Sequence, residues 1–493
     1  MPSRRHPCRH WFARTTLIST LGAALTACVS VPPEPHAVVL PDAGQAALPD
    51  DLRAAGASAW PGDRWWTRYG DVQLDALVDH ALQASPTLQA AAARVNAAQA
   101  ALAVSRAAAG AEAGVTAEAN RQRYSANGLF PSPIGGATVN DFNTRLQARY
   151  DFDLWGRHRA EVAAAVGEEF ARQAEAAQVR QALAGSVAAS YFELQSLWAL
   201  AANLRDQAAA QQALADDKAR RVMHGLASAD EPRAEAARTA ALRARIAEAE
   251  AGAVGQREAL RALLGHGDAP LARLQARPLP AGQATLPPQL GYELLARRPD
   301  LQAARWHVQA SMSRVDAAQA AFYPQINLNA SLGLDALTLP SLLKTASRTF
   351  LIGPSLALPL FSTGTLKGQL GGARSARDEL IATYDQRVLD AVSDVAQAAA
   401  ALQGIDAQSR QQREAIAQTE ALKRSGEARL RQGLADRAST VQAGLAVLRE
   451  RQAELQLARE RLQAEVALTQ ALGGGFHAAT GLTAQAPNPT RQN

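Results

Sequence analysis

Residues 146–154 read Leu146-Gln147-Ala148-Arg149-Tyr150-Asp151-Phe152-Asp153-Leu154, apolar and polar by turns without a break. Residues 326–334, Ile326-Asn327-Leu328-Asn329-Ala330-Ser331-Leu332-Gly333-Leu334, alternate in the same way. Successive side chains of a strand point to opposite faces, so period two predicts strands with one apolar and one polar face. Residues 113–123 alternate more weakly, and so do 350–360, which Pro354 and Pro359 interrupt. They supply a partner for each strong strand, and the two hairpins are expected over 113–155 and 325–361. Four strands cannot close a barrel, and an open sheet leaves edges that template aggregation. Closure by three copies of the chain solves both problems with twelve strands. Arg149, Asp151, Asp153, Asn327 and Asn329 would then line a lumen, with Gln147 and Ser331. Leu146, Ala148, Tyr150, Phe152, Ile326, Leu328 and Leu332 would face lipid.

Each hairpin is followed by a stretch too long for a globular helix. No proline occurs from 134 to 231 or from 360 to 486. The expected long helices, 160–224 and 366–432, would each measure roughly 100 Å at the α-helical rise. Leu380, Tyr384, Val388, Val392, Val395, Ala399 and Leu402 are spaced three or four apart, while Val441, Leu448, Leu455 and Leu462 recur every seven. Both patterns read as coiled-coil seams. The long helices should end at Gly225 and Gly433, with return helices over 227–264 and 435–472. Alanine-rich helices are expected over 74–109 and 292–321, opened near Pro86 and Pro299.

The order of elements is thus the same twice, and the residues repeat with it. Arg221-Val222-Met223-His224-Gly225-Leu226-Ala227 matches Arg429-Leu430-Arg431-Gln432-Gly433-Leu434-Ala435. Ser85-Pro86-Thr87-Leu88-Gln89-Ala90-Ala91 matches Arg298-Pro299-Asp300-Leu301-Gln302-Ala303-Ala304, and Leu263-Leu264-Gly265 matches Ala471-Leu472-Gly473. The halves are expected over 71–269 and 291–475, joined by a linker at 270–290 and followed by a tail at 476–493.

The chain has 493 residues and a net charge of +5. Residues 1–27 carry Arg4, Arg5, Arg9 and Arg14 and no acid, so the remainder holds 47 basic against 46 acidic residues, a net +1. The basic character belongs to the leader and gives no reason to expect nucleic acid as a partner. The two cysteines exclude a disulfide scaffold and a Cys-based metal site. No HExxH spacing or phosphate loop is present, and the scattered histidines suggest no metal. Asp151 and Asp153, two apart on an alternating strand, are better read as polar-face residues than as a glycosidase pair. No catalytic constellation emerges, and neither an enzyme nor a cofactor is expected.

Residues 1–27 read as an export signal, with an apolar core at 15–27 too short to anchor in a bilayer. It ends in Leu25-Thr26-Ala27-Cys28, which resembles the bacterial lipobox. That resemblance implies cleavage before Cys28, three acyl chains on the new N-terminus, and, with Val29 rather than Asp next, outer-membrane sorting. Residues 28–70 read as a proline-rich tether. It closes on Trp60-Pro61-Gly62-Asp63-Arg64-Trp65-Trp66-Thr67-Arg68-Tyr69-Gly70-Asp71, whose tryptophans are expected to dock against the body more readily than at a membrane interface.

Trp65-Trp66, Tyr69-Gly70-Asp71, Asp151-Phe152-Asp153-Leu154-Trp155-Gly156, Arg297-Arg298-Pro299-Asp300-Leu301 and Pro359-Leu360-Phe361 followed by Gly364, together with the duplication and the lipobox, resemble the TolC-like outer-membrane efflux factors in their lipoprotein branch. The resemblance implies a mainly α fold with a transmembrane β-barrel: a homotrimer with a twelve-stranded barrel and a coiled-coil helical barrel crossing the periplasm. It implies a passive exit duct for drugs or other small molecules, in the outer membrane lipid, fed by a periplasmic adaptor and an inner-membrane RND-type transporter. Gly225-Leu226 and Gly433-Leu434 look like the family's adaptor-contacting turns. The family's periplasmic gate maps onto Asp230 and Glu231 in the first half. In the second half Ser439 and Gln442 stand where acids are expected, which leaves Asp436 and Arg437, paired across subunits. The rival reading is a lipid-anchored periplasmic coiled-coil structural or adaptor protein.

Overall fold

The computed structural model describes residues 31–34, 60–265, 269–282, 297–359 and 362–476. Cys28, the leader, Leu360-Phe361 and the tail after 476 lie outside the described residues. So do residues 283–290 of the expected linker and 35–59 of the expected tether.

Two helices open the first half: α1 (Val72–Ala84) and α2 (Pro86–Ala108). A single helix was expected here. Ser85 stands between them in an extended conformation, as a residue before proline is driven to be. Strands β1 (Glu112–Arg123) and β2 (Thr138–Phe152) follow, then the long helix α3 (Arg157–Met223) and the return helix α4 (Asp230–Leu264). The second half runs α5 (Pro299–Ala320), β3 (Gln325–Ala336), β4 (Arg348–Ala357), α6 (Thr363–Arg431) and α7 (Arg437–Ala471). At 67 and 69 residues, α3 and α6 are each roughly 100 Å long.

The chain divides into two compact units. One comprises residues 31–34, 96–171 and 304–383 among those described, and contains the sheet. Its four strands pair antiparallel in the order β1-β2-β3-β4, so β1 and β4 are its edges and neither has an outer neighbour among the described residues. The register carries the alternation across the sheet. Val115, Leu146, Leu332 and Phe350 form one cross-strand row, and Tyr150, Leu328 and Pro354 another. Rows of polar residues alternate with them, such as Glu112, Arg149 and Asn329. Beneath the sheet Val315, Phe322 and Leu370 form a small core.

The other unit comprises residues 60–95, 172–303 and 384–476, within the described set, and holds the main core. Trp65 and Trp66, in a short 3-10 turn, are buried against Leu74, Leu77 and Val78 of α1, Val187, Tyr191 and Phe192 of α3, and Leu462 and Val466 of α7. The tryptophan segment docks, as expected. Several polar groups in this core are paired, although Trp66 Nε1 finds no hydrogen-bond partner among the described residues. The Asp71 carboxylate caps α1 through Gln73 N–H (2.9 Å) and accepts from Tyr191 Oη (2.5 Å). Tyr69 Oη donates to the fully buried Glu465 (3.1 Å). Burial pushes the Tyr69 hydroxyl up to about 12, aided by that carboxylate against the opposing Arg68.

The buried row of α6 corrects the expected seam. It runs Arg377, Ile381, Tyr384, Val388, Ala391, Val395, Ala398, Leu402 and Ile405, spaced four and three apart, with the expected Ala399 buried beside Ala398. Leu380 and Val392 lie off it, although both were read into the seam. Alanines occupy its tight positions, and a hydropathy count gives them too little weight.

Candidate functional site

Besides Cys28, which lies outside the described residues, three groups of residues were singled out from sequence: the polar sheet face, the helix tips, and the charges beside the tips. On the sheet, Arg149 pairs with Asp151 (2.9 Å) and Asn329 Nδ2 donates to Ser355 Oγ (2.9 Å). Asn327 lies opposite Asp151, and Arg149 lies opposite Asn329. These four share one face; Arg149 and Asp151 pair along β2, and Asn329 reaches across to Ser355 of β4.

Asp153 does not join them. It follows the end of β2, and its carboxylate accepts from the backbone N–H of His158 (3.1 Å) and Arg159 (3.0 Å) in the first turn of α3. An aspartate here satisfies N–H groups that a helix start leaves without partners. The alternating pattern runs one residue past the strand because a capping aspartate falls in phase with it. Trp155 stacks on Tyr323 (4.8 Å between ring centres) and donates Nε1–H to Pro324 O (2.8 Å), which ties the exit of β2 to the entry of β3.

The tips have one geometry, used twice. Gly225 has φ +69° and Gly433 +71°. Leu226 N–H donates to Arg221 O (2.8 Å) and Gly225 N–H to Val222 O (3.0 Å). Leu434 N–H donates to Arg429 O (2.8 Å) and Gly433 N–H to Leu430 O (3.0 Å). This is the Schellman arrangement, in which a left-handed residue reverses the chain and satisfies the last carbonyls. An added Cβ would meet nothing at either glycine, so the dihedral alone demands it. Leu226 is 71% exposed and Leu434 73%.

The charges beside the tips differ between halves. Asp436 caps α7 through Ser439 N–H (2.8 Å) and lies 3.8 Å from Arg221 of the same chain. Asp436 thus meets a cation of its own chain, Arg221. Hydrogen bonds from Ser439, backbone and side chain, hold the Asp436 carboxyl below the usual range. In the first half, Asp230 pairs with Arg233 (3.4 Å) and Glu231 with Lys218 (3.6 Å).

One group escaped sequence reading. One turn further along α4, Glu235 is 1% exposed at its side chain and receives Lys218 Nζ (2.8 Å) and Arg238 Nη1 (2.7 Å). Burial works against its charge, but the two cations outweigh it and keep the carboxyl below its ordinary value. Its i,i+3 spacing to Arg238 was visible in sequence, while Lys218 reaches it from another helix. Among the described residues no cluster of three or more His, Cys, Asp or Glu could hold a metal ion, and no helix is long and apolar enough to cross a membrane.

This architecture is matched by known proteins. Residues 77–266 and 290–474 each match the family described as outer membrane efflux protein. The chain belongs to that family. It is 38% identical over 474 residues to the multidrug resistance outer membrane protein MdtP of Shigella flexneri, covering 94% of this chain and 95% of that one. The outer membrane protein VceC of Vibrio cholerae superposes with a TM-score of 0.77 at 30% identity, over 85% of this chain and all of that one. The outer-membrane channel OprN shares the fold, with a TM-score of 0.80 at 24% identity over 90% and 99% of the two chains. The protein is therefore an outer-membrane efflux channel, built of long helices and a small antiparallel sheet.

The duplicated Leu-Gly blocks now have a physical reason. Gly265 (φ +76°) approaches Ala84 O and Pro86, and Gly473 (φ +90°) approaches Arg297 O, so closely that a Cβ would clash at both. Each half closes its return helix against the start of its own opening helix. The Arg-Pro-Asp block seals the second closure: Arg298 binds Asp300 (2.7 Å), Asp394 (3.2 Å) and Ala471 O (3.2 Å).

Proposed function

We propose that three copies of this chain assemble as a homotrimer and form the passive outer-membrane exit duct of a tripartite multidrug efflux pump. The observation that carries this is the sheet. It has two edges without partners and cross-strand rows segregated into an apolar and a polar face. Three such sheets give a closed twelve-stranded barrel with no edge, apolar outside and polar within. The name of MdtP supports drugs as the cargo. A periplasmic adaptor would dock on Leu226 and Leu434, and an RND-type inner-membrane transporter would supply the energy. An exposed leucine after a helix-terminating glycine does nothing for its own helix, and burial in a partner gives it a use.

Within this reading Asp230, Glu231, Asp436 and Arg437 are the gate candidates. The intrachain contact of Asp436 with Arg221 is one that opening would have to break. Arg149, Asp151, Asn327 and Asn329 line the barrel. Cys28 carries the lipid, and two or three acyl chains hold a protein at a membrane where one does not. The halves, tether and tail keep the boundaries given above, with the return helices starting at Asp230 and Arg437.

The test is drug resistance measured with oligomer level in the same cells. Leu434→Asp should leave assembly and membrane insertion intact and abolish resistance, and Leu226→Asp should act likewise. Resistance that survives Asp at both tips would reject these turns as the docking surface.

A further inference from the structure

The strand register sorts charge by face of the sheet. The polar face mixes signs, and its two arginines are paired: Arg145 with Asp335 (3.5 Å) and Arg149 with Asp151 (2.9 Å). The apolar face carries three charged residues along its strands, Arg121, Arg123 and Arg348, and no acid. All three are exposed. They also lie toward one end. α2 leads into β1 and β2 leads into α3, so the β1–β2 turn marks the end of the sheet remote from the helices. Ala119, Phe142 and Ala336 form the last apolar row toward that end. Arg121 and Arg123 stand one and two rows beyond it, opposite Asn140 and Thr138. Arg348 begins β4, level with Leu334. The connections at this end, 124–137 and 337–347, hold no acid and one cation, Lys344. The acids of this end, Glu118, Asp141 and Asp335, share the polar face.

We propose that this outer rim is a docking surface for the phosphate groups of outer-leaflet lipid headgroups, held by Arg121, Arg123 and Arg348. The inference rests on the three-copy barrel proposed above. From Phe152 back to Phe142 the apolar face runs about 34 Å along β2. At a barrel tilt of about 40° that length covers the roughly 25 Å apolar band of an outer-membrane barrel, which leaves Arg121 and Arg123 at headgroup level. Arg348 reaches the same level through its flexible stem. All three belong to the edge strands β1 and β4, and none to the inner pair. Arg123 ends β1 and Arg348 begins β4. Closure joins β4 of one copy to β1 of the next, so the three guanidiniums converge at each seam. Charge on an edge strand deters pairing in an open sheet, but these edges have to pair. With the acids on the lumen side, the outward face holds nothing to neutralise its cations, and charge complementarity selects an anion. A planar guanidinium grips a phosphate through two parallel N–H donors, which an ammonium cannot do.

The test uses the full-length protein, extracted from outer membranes, stripped of lipid in mild detergent and weighed by native mass spectrometry. The probes are diphosphoryl lipid A and the same lipid with both phosphates removed. The wild-type trimer should bind the phosphorylated probe roughly a hundredfold more tightly, about fivefold for each arginine. Replacing Arg121, Arg123 and Arg348 together by Gln should abolish that preference while the trimer mass persists. Combining Gln122→Arg with Arg123→Gln keeps the net charge but moves the cation to the polar face, and should weaken binding as much as Arg123→Gln alone. A trimer that binds both probes equally, or a triple variant that keeps the preference, would overturn the proposal and leave the duct standing. Undiminished binding in the exchanged variant would overturn the assignment by face. A wild-type particle that is not a trimer would overturn the duct and this surface together.

Discussion

The tryptophan core and the β-sheet obey opposite rules. Trp66 is 2% exposed and sits among residues of α1, α3 and α7, all from one chain. The sheet exposes apolar side chains such as Leu332, Phe350 and Ile352, and ends in two edges without partners. The first region is complete within a protomer. The second, on the function proposed above, is completed by further copies of the chain and the bilayer around them. Substitutions in the two regions should therefore fail at different stages, the first in folding and the second in assembly.

The largest effect is expected from Trp66→Ala. Loss of a buried Trp side chain costs about 3–5 kcal/mol, and the deficit should appear as a lowered unfolding midpoint and low protein level. A protomer of normal stability would show that the core borrows support from elsewhere. Next is a pair of substitutions across the pleat. Leu328→Arg should cost about 2–4 kcal/mol if it faces the bilayer midplane, and assembled protein should fall sharply. Ser331→Arg, on the other face and opposite Gln147, should assemble normally and alter conductance in planar bilayers. Ser331 serves better than Asn329, since Arg149 lies opposite Asn329 and like charges would repel. Equal loss at both positions would break the comparison.

Smaller effects belong to the tips. Gly433→Ala forces a Cβ into a left-handed turn, at about 1–2 kcal/mol locally, with open space around it. Faster hydrogen exchange at the end of α6 should report it, with assembly unchanged. Smallest is Asp436→Ala, which removes a cap of about 1 kcal/mol. Because the folded Asp436 carboxyl is held below its usual range, the cap is intact above the ordinary aspartate pKa. It is lost only as pH falls through the lowered folded value. The first turn of α7 should thus fray in acid, and Asp436→Ala should remove that pH dependence.

The strands, the long helices and the tip glycines were legible because each follows from a short-range rule. Period two marks a sheet face, the absence of proline permits a long helix, and a Gly-Leu pair ends one. What sequence could not settle lay where two local rules coincide or where partners are remote. Asp153 continued the strand pattern while serving as a helix cap. Ser85 stood inside an alanine run that Pro86 divides. The α6 seam used Ala391 and Ala398, which hydropathy counts pass over. Glu235 depends on Lys218 from another helix, and Glu34 depends on arginines more than three hundred residues away. The charge balance of the tips likewise emerged only in three dimensions, where Arg221 of the first half meets Asp436 of the second.

The central claim, that the open sheet is one third of a barrel, is tested most directly by the mass of the intact particle. The full-length protein would be extracted from outer membranes in mild detergent and weighed by native mass spectrometry. The account predicts a particle of three protomer masses that falls to single protomers in Leu328→Arg and not in Ser331→Arg. A wild-type protein that inserts in the membrane as a monomer or a dimer would contradict it.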